Sequence, residues 1–128
     1  MNQVPLPVFV RLKDCGDVVL YDSILKMQSS FERIDVENDE YEAWDATGTR
    51  LKLSVQESDE WLRIDPMPGS PPEQLVEAII QFGRLQGVNV DVSLLRAGDF
   101  SGALKQVSSA GQTKGQSPGW WQRLKRRL

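Results

Sequence analysis

Residues Glu40–Gln56 read EYEAWDATGTRLKLSVQ, two alternating runs around Asp45-Ala46-Thr47-Gly48-Thr49. Asp is favoured at the first position of a type I turn and Gly at the fourth. Gly48 tolerates the left-handed backbone that a three-residue hairpin loop with a G1 bulge demands. The loop therefore sets the register of a β-hairpin. Asp45 lies opposite Thr49, Ala43 opposite Leu51 and Tyr41 opposite Leu53, with Trp44 facing Arg50 and Glu42 facing Lys52. One face carries Tyr41, Ala43, Leu51, Leu53 and Val55. The other carries a Trp–Arg pair and an opposite-charge pair, each worth roughly 0.5–1 kcal/mol at an exposed site. A slip of one residue would put Leu51 and Leu53 in water, so the rest of the chain is expected to cover the apolar face.

Upstream, Val8, Val10 and Leu12 alternate with Phe9 and Arg11. Pro5 and Pro7 suit an edge strand. Lys13-Asp14-Cys15-Gly16-Asp17 repeats the turn pattern, and Val18–Tyr21 is expected to return as the partner strand. Asp22 or Ser23 can cap a helix whose stripe is Ile24, Met27, Phe31 and Ile34. An acidic loop, residues 35–40, leads into the central hairpin.

Downstream, Glu60–Asp65 reads as a third strand, with Leu62 and Ile64 on the buried face and Trp61 and Arg63 on the other. Ser70-Pro71-Pro72-Glu73 has the composition of a capping box, with Ser at the N-cap, Pro at N1 and Glu at N3. The helix that follows runs to Gln86 and ends at Gly87. Gly83 falls within its apolar arc and costs about 1 kcal/mol in helix propensity relative to Ala, which points to a close helix–sheet contact. Val88, Val90 and Val92 predict a short last strand. Ser93–Gly98 reads as a helical turn, and Asp99 can cap a helix through Val107. The expected class is α+β: a two-layer sandwich, a mostly antiparallel sheet of five to six strands with two main helices on one face.

The chain has 128 residues, one Cys and no His. That length suits one domain, expected over residues 1–107. A lone Cys excludes an internal disulfide, and the lack of His removes the commonest catalytic base and metal ligand. With no apolar run near the ~20 residues of a membrane span and no leader pattern, a cytoplasmic location is expected. Cys15 sits between Asp14 and Asp17, whose carboxylates disfavour a thiolate. There is no Walker A loop and no GxGxxG motif, and Ser-His or Cys-His chemistry is excluded. No enzyme activity, no cofactor and no metal is expected. Asp35, Glu37 and Asp39 resemble the start of a calcium loop only superficially, because the required Gly and the last Glu are replaced by Glu40 and Ala46. This acidic loop reads as a solvated charge run or as a contact for a basic partner.

Charge is unevenly placed. Residues 1–100 hold all 18 acids and nine bases, a net charge of −9, while residues 101–128 hold six bases and no acid. Residues 108–119 are rich in Ser, Gly and Gln and read as a flexible linker, spanning on the order of 20 Å as a coil. Residues 120–128, WWQRLKRRL, form a basic amphipathic tail. On a helix Trp120, Trp121, Leu124 and Leu128 share one arc, and Arg123, Lys125, Arg126 and Arg127 lie outside it. So short a helix needs a surface to order it. A protein groove, an anionic membrane, nucleic acid or its own acidic body would each serve. Trp44, Arg50, Trp61 and Arg63 form a second candidate contact face, together with Glu42 and Lys52.

Three functions are consistent with this pattern. The first is a non-enzymatic binding or adaptor module whose tail docks on another protein or an anionic surface. The second is an inhibitor or immunity-type protein covering a basic site with its acidic loop and body. The third is a homo-oligomeric structural protein whose tail packs on a neighbouring subunit.

Overall fold

The computed structural model describes residues 4–113, and side chains as far as residue 108. Strands β1 (Val8–Leu12), β2 (Val18–Tyr21), β3 (Tyr41–Trp44), β4 (Arg50–Val55) and β5 (Leu62–Pro66) form one antiparallel sheet in the order β2-β1-β3-β4-β5. Helices α1 (Ile24–Ser30) and α2 (Arg33–Glu37) lie between β2 and β3, and α3 (Glu73–Leu85), α4 (Val92–Arg96) and α5 (Phe100–Thr113) follow β5. The class is α+β, as expected.

The central hairpin has the register its loop dictates, with Ala43 opposite Leu51 and Trp44 opposite Arg50. Asp45 N–H donates to the Thr49 carbonyl at 2.9 Å, and Gly48 N–H to the Asp45 carbonyl at 3.0 Å. The buried Asp45 carboxylate accepts from Thr47 N–H (2.8 Å), Thr47 hydroxyl (2.6 Å) and Thr49 N–H (3.1 Å). Gly48 has φ +86°, and a Cβ there would come within 2.8 Å of Pro72 Cβ. The turn is therefore seated against the start of α3.

The helices divide between the two faces, which separates this sheet from a two-layer sandwich. On one face α1 and α2 bring Met27, Phe31 and Val36 against Val8, Val10, Leu12, Tyr41, Ala43, Leu51 and Leu62. On the other, α3, α4 and α5 bring Leu75, Ile79, Phe82, Leu95, Phe100 and Leu104 against Phe9, Val18, Leu20 and Trp44. The physical reason is that β1, β2 and β3 present large apolar side chains on both sides. Phe9 and Trp44 are each 1% exposed, which requires a third layer.

Several local expectations change for the same kind of reason. The helix expected over 24–34 breaks at Phe31, whose extended backbone ends α1, and Ile34 is 54% exposed on α2. Part of the expected acidic loop is α2 itself. Ser70 does not cap α3. Its hydroxyl accepts from Arg50 N–H at 2.8 Å and donates to the Met67 carbonyl at 2.7 Å, and Pro72 occupies the N-cap. Residues 88–91 form no strand. They pass over α3, where a Cβ on Gly83 would meet Val90 Cγ2 at 2.7 Å and the Val88 carbonyl at 2.9 Å. The close approach inferred from Gly83 is real, but its partner is this segment and not the sheet. β1 is an interior strand, with its prolines ahead of it. Helix α5 continues through Thr113, into the span read as linker.

The outer edge of β5 is blocked at both ends of the strand. Leu62 N–H donates to Gln28 Oε1 at 3.0 Å, and Pro66 has no N–H to offer.

Candidate contact face

Strand parity places Arg11, Glu42, Arg50, Lys52, Ser54, Arg63 and Asp65 on the face shared with Phe9 and Trp44. The α3–α5 layer packs on β1, β2 and β3, and neither β4 nor β5 contributes to that cluster. Among the described residues no helix covers the β4–β5 half of this face. Across it runs an alternating charge row. Arg11 is opposite Glu42 on β3, the β3–β4 register carries Glu42 to the level of Lys52, and Lys52 is opposite Asp65 on β5. Opposite charges directly across a sheet are mutually stabilising.

The inner end of the row is fixed. Glu42 accepts from Arg11 Nη1 at 3.2 Å and from Arg50 Nη1 at 2.8 Å, with all three side chains 21–29% exposed. Arg11 Nη2 also donates to Gln81 Oε1 of α3 at 3.2 Å. The Arg50 guanidinium lies over the Trp44 ring, 5.2 Å from its centroid. Arg50 is thus held from two sides, yet its side chain has a single acceptor, Glu42, among the described residues. At the outer end Arg63 Nε donates to Asp65 at 2.9 Å with both groups well exposed, and the exposed Lys52 ammonium has no acceptor among the described residues. Four cations stand against two carboxylates, a local charge of +2 on a body whose first hundred residues carry −9.

Of the residues expected to share this face, Arg50 and Arg63 do so beside Glu42 and Lys52. Trp44 is on the same side but sealed under the helices, so it supports the face without being accessible. Trp61 lies apart: it precedes β5, packs against the α1–α2 cluster, and stacks with Arg33 at 5.5 Å. Arg11, Asp65 and Gln81 complete the arrangement and were not anticipated. The strand parity of Arg11 and Asp65 was visible in the sequence, whereas Gln81 joins only because α3 packs over β1.

The acidic residues separate. Asp35 is 4% exposed and accepts from the Tyr41 hydroxyl at 3.2 Å. Asp39 (φ 56°) pairs with Lys13 at 2.9 Å, Glu37 points to solvent, and the Glu40 carbonyl accepts from Lys13 N–H. Among the described residues no three metal-ligating side chains come together. Burial pushes the Cys15 thiol up to about 11; a backbone hydrogen bond from Asp17 works against the rise, and the carboxylates of Asp17 and Asp14 add to it. No helix of the described residues is long and apolar enough to cross a membrane. The tail residues Trp120, Trp121, Arg123, Leu124, Lys125, Arg126, Arg127 and Leu128 lie outside the described residues. No protein-family model, curated protein or solved structure matches this chain.

Proposed function

We propose that this chain is a non-enzymatic binding module: an acidic folded body that presents the basic aromatic segment 120–128 to another protein or an anionic surface. One observation supports this reading above the rest. Among the described residues both apolar clusters draw on residues 4–107, with Phe9, Trp44, Met27, Leu75 and Ile79 buried to 1% or less. In this reading the apolar arc of Trp120, Trp121, Leu124 and Leu128 serves an outside surface. We take the basic half of the sheet, with Arg50, Lys52 and Arg63, as a second contact element. The raised Cys15 thiol is a poor nucleophile.

The test compares the full chain with one ending at Ser117. Both are sedimented with phosphatidylserine-containing vesicles and with neutral phosphatidylcholine vesicles, and both are passed over a light-scattering detector. The reading expects the full chain to bind or self-associate through its tail while the shortened chain stays folded and inert. Equal behaviour of the two chains contradicts it.

A second reading is favoured by the exposure of Glu37, Asp39, Glu57, Asp59 and Glu60. In this reading the acidic body covers a basic site as an inhibitor would. It separates from the first because truncation at Ser117 leaves that activity intact.

A further inference from the structure

We infer that the open half of the sheet receives an acidic, extended protein segment whose carboxylates lie against Arg50, Lys52 and Arg63. This rests on the reading of the chain as a binding module and names the partner chemistry of its second contact element.

The geometry of the cations carries the inference. Arg50 and Lys52 stand two residues apart on β4 with side chains on one face. That spacing is about 6.8 Å along the strand. An extended segment with carboxylates at alternate positions has the same repeat, so it can place one on each cation. Arg50 is already oriented by Glu42 and Trp44 and keeps guanidinium N–H groups with no acceptor among the described residues, so little side-chain freedom is lost on contact. Lys52 carries an ammonium with no acceptor among the described residues, and Arg63 is 59% exposed beside it. A face of local charge +2 on an otherwise acidic body attracts an anionic group to this part of the sheet.

The same arrangement argues against nucleic acid. Glu42 and Asp65 interrupt the cations in the row Arg11–Glu42–Lys52–Asp65, so a continuous run of phosphates would lie against carboxylates. The net charge of the body repels a polyphosphate more strongly than a peptide with a few acids. At the outer edge of β5 the Leu62 N–H is already taken by Gln28 and Pro66 has none to offer, so side chains on the face are the contact groups argued for.

The experiment follows the side-chain Nε–H signals of Arg50 and Arg63 by NMR in the full chain. A short peptide of alternating Glu and Thr is titrated in, then its Gln-for-Glu counterpart, then a single-stranded oligonucleotide of equal charge. Two variants accompany it: Lys52→Gln with Arg63→Gln on the face, and Arg123→Gln, Lys125→Gln, Arg126→Gln and Arg127→Gln in the tail. The inference expects saturable shifts at Arg50 and Arg63 with the Glu peptide alone, binding about tenfold weaker in the face variant, and unchanged binding in the tail variant. Unchanged affinity in a folded face variant overturns it, as does preferential binding of the oligonucleotide at these signals. Loss of peptide binding in the tail variant alone also overturns it, yet leaves the tail as the docking element. Failure of vesicle binding or self-association leaves this face inference standing.

Discussion

Arg50 holds its guanidinium 5.2 Å from the ring centroid of Trp44, directly across the β3–β4 pair. That contact marks where the buried part of the sheet gives way to the open part. Trp44, at 1% exposure, belongs to the core, and Arg50, at 22%, belongs to the surface. The account predicts that Trp44→Ala costs about 3–5 kcal/mol, the usual range for a buried aromatic. Trp44→Phe is expected to cost less, because the indole Nε1 has no acceptor among the described residues and no hydrogen bond is lost with it. Urea denaturation of the two variants checks both values.

Gly83 and Val90 make a sharper case. Helix propensity alone would make Gly83→Ala stabilising by about 1 kcal/mol. The new methyl would instead stand 2.7 Å from Val90 Cγ2 and 2.9 Å from the Val88 carbonyl, and the backbone atom cannot swing away as a side chain could. Overpacking of this kind costs typically about 1–3 kcal/mol. A net loss of stability in denaturant is expected, and a gain would mean that the 88–90 segment is not seated on α3.

The Asp45 carboxylate anchors the central turn through three hydrogen bonds while 4% exposed. Asp45→Ala strips acceptors from Thr47 and Thr49 and is expected to cost roughly 1–3 kcal/mol. Asp45→Asn keeps one oxygen and should recover part of the loss. Thermal melts of the pair distinguish a turn-anchoring role from simple burial, which would make the two variants alike.

Cys15 gives the pH dependence. Its thiol is raised from 9.0 to about 11, chiefly by burial. Between those values the unfolded chain gives up the proton while the folded chain keeps it, so the folded state binds more protons and stability falls as pH rises. Below about 9 the group has no effect on the pH slope. Urea melts across that window should show a decline that Cys15→Ser reduces. Alkylation at neutral pH should also be slow, since the shift leaves roughly a hundredfold less thiolate than an unperturbed thiol.

The sequence made some of this arrangement legible and hid the rest for identifiable reasons. The hairpin register was readable because Asp45 and Gly48 fix it locally. The layering was harder. Counting only Val8, Val10 and Leu12 as core made Phe9 look like an outward residue, although Phe9, Val18, Leu20 and Trp44 together form a second apolar face. Val88, Val90 and Val92 alternate as a strand does, but the approach to Gly83 uses residues 88–90 for packing on α3. Ile34 fitted a helical stripe only if the helix continued past Phe31, where it breaks. The contact face was half visible. Arg50, Lys52 and Arg63 followed from strand parity, whereas Trp61 left the face because the strand begins after it.

The central claim, that the body closes its core without residues 120–128, meets its most direct test in equilibrium urea denaturation of the full chain against the chain ending at Ser117. The account predicts the same unfolding free energy and the same denaturant slope for both. A shortened chain that loses about 3 kcal/mol or more, as removal of a core tryptophan would cause, contradicts it.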